Sequence, residues 1–490
     1  MAGTLGCDIS VPRRKKLRRV SLCAGVLFAL GVGIGLGSCG RRAAHGRQAR
    51  HVVLISMDTS RADHFGFMGS EEVKTPRLDE VADESIVFTD YMTVVPTTLA
   101  SHTSLFTGKY AHHHGTPRNG FMVNEANEML PEILKGVGFR TVGFLGSFAL
   151  SSRFNFNQGF DYYDENFDVR KGDMEIHQTQ RVAADVTDAV IRYLEENGVP
   201  ERLFLFVHYF DPHRPYEAPA PFDKAYDPQG RKALPSVEDV RDGKRMTPDE
   251  RTSNARRQEL QYASEISYMD HHIGRLLDDL RTRGVLDDAL LVVTSDHGEN
   301  LWDHYVQFDH GNTVYQSTVH AVCMMRLPGG ERGGTRVESL VANIDVLPTV
   351  LGFLGLAAPD GIDGRAIDLR AVSGSLPERA YFSQGSKPHE KVETDPRWVN
   401  MLKSRCVRKG RYKFIQTPYK GSEELYDLIS DPGERRNLLE GMTPETEAVV
   451  GELRRELEAW AASANPLESG FEKAKEEDTT KRLRSLGYVD

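Results

Sequence analysis

The chain has 490 residues, 39% of them hydrophobic, which suits a soluble globular enzyme with one large domain and a smaller companion. Its formal net charge is −10 and its basic residues are dispersed beyond one short run near the start, so a nucleic-acid-binding surface is excluded.

Residues 1–38 stand apart from the rest. The basic run Arg13-Arg14-Lys15-Lys16-Leu17-Arg18-Arg19 precedes a largely apolar stretch from Val20 to Gly37, the order of a secretory leader. Leu36-Gly37-Ser38-Cys39 resembles a bacterial lipobox, in which Cys39 becomes the lipidated first residue and tethers the chain to a membrane. The same segment accommodates an ordinary cleaved signal or an uncleaved anchor, and all three export the catalytic part. Without the leader the chain carries 55 basic against 70 acidic residues. Cys7, Cys23 and Cys39 belong to the leader, while Cys323 and Cys406 lie in apolar, strand-like runs that favour buried thiols over a disulfide.

From His51 onward apolar β-runs alternate with helical periodicity, which predicts an α/β fold: a central, mostly parallel sheet with helices on both faces. Strands are expected at 52–56, 141–145, 203–207 and 290–294. Helices are expected at 181–197, before Gly198 and Pro200, and at 258–283, before Gly284. Residues 214–256 show prolines, mixed charge and no period, reading as a lid or a solvated insertion. Past residue 375, short β-runs at 380–383, 412–416 and 424–428 alternate with turns and predict a small antiparallel sheet, followed by a helix over 445–462. The expected plan is a leader (1–38), a catalytic α/β domain (46–374), a C-terminal subdomain (375–465) and a polar tail (466–490). Nothing in the chain bears on its oligomeric state.

Two of the β-runs end abruptly in acidic residues: Val52-Val53-Leu54-Ile55-Ser56-Met57 in Asp58, and Leu290-Leu291-Val292-Val293-Thr294-Ser295 in Asp296-His297. Open α/β sheets bind ligands outside the carboxyl ends of their strands. Two carboxylates and an imidazole delivered there suit one divalent cation, Mg²⁺, Mn²⁺, Ca²⁺ or Zn²⁺, without choosing among them.

Further blocks stand in order along the chain: Asp58-Thr59-Ser60-Arg61-Ala62-Asp63-His64; Thr75-Pro76-Arg77-Leu78-Asp79; residues 98–108 with Lys109-Tyr110-Ala111-His112-His113-His114-Gly115; His208-Tyr209-Phe210-Asp211-Pro212-His213-Arg214-Pro215-Tyr216; Asp296-His297-Gly298-Glu299; and His310-Gly311-Asn312-Thr313-Val314-Tyr315. Leu425-Tyr426-Asp427-Leu428, Asp431-Pro432-Gly433-Glu434 and Leu486-Gly487-Tyr488-Val489 follow. Together, over residues 50–489, they resemble the sulfatase family of the alkaline phosphatase superfamily, which implies an alkaline-phosphatase-like sheet and an ester hydrolase. The resemblance implies a metal shell of Asp58, Thr98, Asp296 and His297. It also implies substrate contacts from Asn119, His213 and His310, the last two near the leaving group and therefore counted as catalytic with Thr98. Thr59 replaces the second Asp of many sulfatases, thinning the metal shell, and is grouped with the substrate-binding positions. Of His112, His113 and His114, one is expected to point inward.

One departure bears on mechanism. The family's Cys-x-Pro-Ser-Arg core reads Thr98-Leu99-Ala100-Ser101-His102, so Thr98 stands where sulfatases carry the Cys or Ser that becomes formylglycine. Thr is no substrate for that conversion, and relatives in the superfamily use Thr or Ser directly as a metal-bound nucleophile. Spacing favours Thr98 over Thr97, and a helix starting there would aim its N–H groups at an anionic ester. The Lys–His pair of many sulfatases is absent at Gly143-Phe144-Leu145-Gly146-Ser147. The expected function is exported, metal-dependent hydrolysis of a sulfate, phosphate or phosphonate ester through Thr98. A phosphotransferase or phosphodiesterase acting on lipid or glycan head groups, and silent recognition of anionic glycans, are the alternatives.

Overall fold

Strand β1 (His51–Met57) is buried along its whole length, and its alternate residues divide between two apolar layers. Val53, Ile55 and Met57 face a core covered by the helices Ala183–Asn197 and Pro248–Thr282. Val52 and Leu54 face a second core covered by Thr98–Thr107, Leu130–Gly136 and Val346–Phe353. A strand enclosed on both faces needs a continuous apolar run rather than alternation, which is what this segment supplies. The computed structural model describes residues 48–486 apart from 172–173, 178, 231–233, 244, 305 and 472–475. The leader at 1–38, its Cys39 and the terminal Tyr488-Val489 lie outside the described residues.

The main sheet adds β2 (Ile86–Met92), β3 (Arg140–Leu145), β4 (Tyr162–Asp164), β5 (Leu203–Tyr209), β6 (Ala289–Ser295), β7 (His320–Arg326), β8 (Thr335–Val337) and β9 (Val341–Ala342). Their order is β8-β2-β7-β6-β1-β5-β3-β4, with β9 on β2. Strand β7 runs antiparallel to β2 and β6, and the other pairings are parallel. Register builds the site: Met57 lies opposite both Ser295 of β6 and Tyr209 of β5. Asp58 and Asp296, each one residue further on, therefore leave the sheet side by side.

The four β-runs expected in the catalytic part are found within a residue or two of their limits. Residues 214–256 differ from expectation. A turn at Phe222–Lys224, a helix at Val237–Asp242 and the first turns of the helix Pro248–Thr282 occupy them, with Tyr216, Val237, Val240 and Ala255 buried. Arg257 pairs with Asp227, and Gln258 and Gln261 donate to Pro235 O and Asp223 O, so the segment is a packed wall along the long helix. Among the described residues no helix is long and apolar enough to cross a membrane.

The C-terminal strands β10 (Tyr381–Gln384), β11 (Arg405–Lys409), β12 (Tyr412–Thr417) and β13 (Ser422–Asp427) form an antiparallel sheet. One face, through Val407, Phe414 and Leu425, packs on Val450, Leu453 and Leu457 of the helix Pro444–Ala462. The other, through Tyr381, Cys406, Ile415 and Tyr426, joins Met92, Val94, Ala100 and Tyr110 of the main unit. The end of the chain, expected from its composition to be a polar tail, also packs onto the main unit. Phe471 bridges to Phe121, and Leu483 and Leu486 are buried in the second core, because the helix Glu476–Ser485 brings these apolar residues onto it. Cys323 and Cys406 are buried free thiols in different sheets.

Candidate metal centre

At the carboxyl edge of the sheet, Asp58, Asp296 and His297 are fully buried and bring their ligand atoms within 4.8 Å of one another. His297 Nδ1 lies 2.9 Å from Gly298 O and must donate to that carbonyl, which leaves Nε2 as an unprotonated lone pair. That lone pair faces Asp296 Oδ2 at 3.5 Å and Asp58 Oδ1 at 4.0 Å. None of these three atoms has a hydrogen-bond partner. Three acceptors converging without a donor in a dry pocket are repulsive, and a cation resolves the repulsion. The electrostatics agree: burial, and for Asp296 the facing Asp58, push both carboxyls well above the usual range when no cation balances them. The residues present therefore fit one divalent cation.

Thr98 opens the helix Thr98–Thr107, with Thr97 at the N-cap position. The Thr98 hydroxyl donates to Asp58 Oδ2 at 3.4 Å, at the lip of the acceptor cluster. Thr97 Oγ1 turns away, donating to Pro96 O at 2.8 Å and touching Ser386 Oγ. Asn119 Oδ1 accepts the Leu99 N–H at 2.8 Å, which orients the amide so that its buried Nδ2 donors have no protein partner. Thr59 acts through its backbone: with φ +49 it turns its N–H onto Asp296 Oδ1 at 3.1 Å, and Tyr262 OH donates to its carbonyl at 2.7 Å.

The two remaining histidines stand together. The ring of His310 lies 4.5 Å from that of His297 and 5.3 Å from that of His213. His213 Nδ1 donates to Arg214 O, and His310 Nδ1 faces Glu299 Oε1 at 3.3 Å. Burial raises the Glu299 carboxyl to about 8, with Arg214 opposing, and burial holds both imidazoles well below their ordinary range. Asp309 next door, despite burial, is held low by Lys387 and Arg214. All eight positions singled out from the sequence thus gather at one edge of the sheet. Of the histidine tract, His112 and His114 are both buried, not one residue as expected. His114 Nε2 bonds Ser104 Oγ and His113 Nδ1 bonds Asp363, so these rings serve packing.

Several groups at the site were given no role by the sequence. His102 sits beneath Thr98, with Nδ1 2.7 Å from Thr98 O and Nε2 2.8 Å from Ser56 Oγ. A carbonyl can only accept, so Nδ1 carries the proton and Nε2 takes the Ser56 hydroxyl. His102, His208 and Asp296 also come within metal-ligand reach of one another, yet this tautomer leaves His102 no lone pair to offer. From the C-terminal subdomain, Ser386, Lys387, Glu393 and Lys403 form a wall. Glu393 pairs with Arg118 at 3.0 Å and Lys403 at 2.7 Å, and Lys387 with Asp309 at 2.7 Å.

Comparison with known proteins bears on this geometry. The sulfatase profile matches residues 50–356. The chain belongs to the sulfatase family. A second profile, for the C-terminal part of N-sulphoglucosamine sulphohydrolase, matches residues 304–463. The chain is 26% identical over 436 residues to an ulvan-active sulfatase of Formosa agariphila, covering 83% of this chain and 80% of the relative. Human N-sulphoglucosamine sulphohydrolase is 24% identical over 407 residues, covering 79% and 72%. In fold, the phosphonate monoester hydrolase of Silicibacter pomeroyi superposes with a TM-score of 0.66 at 21% identity, over 85% of this chain and 96% of that one. The family makes the protein a hydrolase of sulfuric or phosphoric esters.

Proposed function

We propose that the protein is an exported, cation-dependent hydrolase of anionic sulfate or phosphoryl esters in which unmodified Thr98 is the nucleophile. The observation that carries this reading is the convergence of Asp58 Oδ1, Asp296 Oδ2 and His297 Nε2, acceptors without a donor, beside the Thr98 hydroxyl. A divalent cation held by Asp58, Asp296, His297 and the Thr98 oxygen would polarise the ester and lower the pKa of the neighbouring hydroxyl. Thr98 stands at the first turn of its helix, where backbone N–H groups favour an anion. The Asn119 Nδ2 donors face no protein acceptor and are suited to a non-bridging ester oxygen. As Thr98 Oγ gives its proton to solvent and bonds to sulfur or phosphorus, the ester bond breaks and the departing oxygen takes a proton from His310, which is backed by Glu299 and flanked by His213. Water then attacks the same sulfur or phosphorus and gives a proton to His310, while Thr98 Oγ departs and regains its own proton from solvent.

Two relatives support a sulfated glycan as substrate: the ulvan-active sulfatase, and a structural neighbour (TM-score 0.64, 19% identity, covering 90% of this chain and 98% of that one) in complex with D-glucosamine-2-N,6-O-disulfate. Thr98 itself favours a second reading, a phosphoryl ester of a lipid or glycan head group, since formylglycine chemistry is closed to it. The leader supports export and tethering through Cys39. Purified protein assayed on aryl sulfate, aryl phosphate monoester, diester and phosphonate, with Ca²⁺, Mg²⁺, Mn²⁺ and Zn²⁺ in turn, decides between the readings. Turnover unaffected by chelation would contradict both.

A further inference from the structure

His208 lies on β5, opposite Ser56 of β1, at the end of the apolar run Leu203-Phe204-Leu205-Phe206-Val207. It is fully buried, and neither ring nitrogen has a hydrogen-bond partner. An unsatisfied buried polar group is costly, and a Leu or Phe at this place in the strand would avoid that cost. Its surroundings show what it faces. His208 Nε2 is 3.3 Å from Asp58 Oδ2, close enough for a hydrogen bond but misaligned for one. The ring is fixed edge-on to that of His102, 5.0 Å away, and His102 spends both of its nitrogens elsewhere.

Asp58 has two oxygens with different tasks. Oδ1 points at the His297 lone pair and is the one available to a cation. Oδ2 accepts from the Thr98 hydroxyl, a proton that is lost when Thr98 becomes the nucleophile. Among the described residues, His208 Nε2 is then the side-chain donor left within reach of Oδ2. We infer that His208 is a positioning residue of the cation site: its neutral imidazole donates from Nε2 to Asp58 Oδ2, holding Oδ1 on the cation before and after Thr98 gives up its proton. The inference rests on the cation reading given under the proposed function. His208 comes within ligand distance of Asp296 and His102, but the group formed by Asp58, Asp296 and His297 does not include it. Outer partners of this kind typically change metal affinity by about 10–100-fold.

The test is calorimetric titration of chelator-stripped protein with Ca²⁺, Mg²⁺, Mn²⁺ or Zn²⁺ alone, together with thermal melts of each form with and without the cation. Wild type should bind one equivalent. His208→Ala should bind the same cation about 10–100-fold more weakly, with a smaller cation-induced rise in Tm. His208→Gln, whose Nε2 reaches a similar point, should recover most of the affinity. Binding by His208→Ala within twofold of wild type would overturn the inference while leaving the cation reading intact. So would equal losses in His208→Ala and His208→Gln that follow the Tm of the stripped protein, since that is the signature of packing. A wild type that takes up no cation removes the cation reading and this inference together.

Discussion

Replacing Lys413 with Met should cost the folded protein about 3–5 kcal/mol, the usual effect of removing one partner of a buried ion pair. Lys413 and Glu434 have no exposed side-chain surface, and Nζ lies 2.7 Å from Oε1. The pair joins the small sheet to the catalytic part, because Glu434 Oε2 also accepts the Gln316 N–H at 2.5 Å. Gln316 opens the short helix Gln316–Val319, whose Thr318 carbonyl accepts the Gly298 N–H at 2.9 Å, one residue beyond His297. Lys413→Met leaves the Glu434 carboxylate buried with one backbone donor, and domains of this kind hold about 5–15 kcal/mol in all. In the double variant Lys413→Met/Glu434→Gln no charge is buried and the amide oxygen still accepts from Gln316, so most of the loss should return. Urea unfolding followed by fluorescence and far-ultraviolet circular dichroism reads both numbers. A single-variant loss below about 1 kcal/mol, or a double variant no better than the single, would refute the view that this pair welds the two parts into one cooperative unit.

Other outcomes follow from the same geometry. Asp296→Asn should lower bound cation, measured by elemental analysis after dialysis, because an amide supplies a weaker ligand and a donor where acceptors converge. Full occupancy in Asp58→Asn/Asp296→Asn would contradict the assigned ligands. Gly298→Ala should weaken both folding and cation uptake, since a Cβ there would meet Ser317 O at 2.2 Å and displace the Asp296-His297 turn. In acid, Glu393 should matter: burial opposes its charge, but Lys403 and Arg118 outweigh burial and hold the carboxyl at about 2 against an ordinary 4.5. A lowered carboxyl stabilises the fold above its unfolded pKa, and that contribution fades as pH falls from about 4.5 to 2. The carboxylate gains because it lies between two cations, whereas burial lowers Lys403 to about 8. Glu393→Gln should therefore flatten the pH dependence of Tm in that window, and an unchanged slope would argue otherwise.

The parts legible in the sequence are those set by local pattern. The runs of β1, β3, β5 and β6 are apolar enough to be read as doubly covered strands, and the acidic residues ending β1 and β6 mark the site. Their adjacency depends on register between strands more than two hundred residues apart, which no window reveals. The long helix starts at Pro248, ten residues before the expected 258. Its true signal was chemical, Thr247-Pro248-Asp249-Glu250, where Thr247 and Glu250 cap each other's backbone N–H at 3.3 and 2.8 Å. Strands β7 and β11 were legible as the strand-like runs around Cys323 and Cys406, but their antiparallel pairing with neighbours on both sides was not. His208 had a faint signal, a polar residue closing an otherwise apolar run, but its meaning rests on where Asp58 points. The wall of Ser386, Lys387, Glu393 and Lys403 had none, since loop residues reach the site only through docking of the small sheet.

The central claim is that Thr98, unmodified, is the nucleophile, and its most direct test is the turnover of Thr98→Ala beside Thr98→Ser at saturating cation. The account predicts that Thr98→Ala loses nearly all turnover, on the order of several powers of ten, while still binding the cation through Asp58, Asp296 and His297. Thr98→Ser, which keeps the hydroxyl that donates to Asp58 Oδ2 at 3.4 Å, should remain active. Wild-type turnover in Thr98→Ala, or its loss in Thr97→Ala instead, would contradict the account.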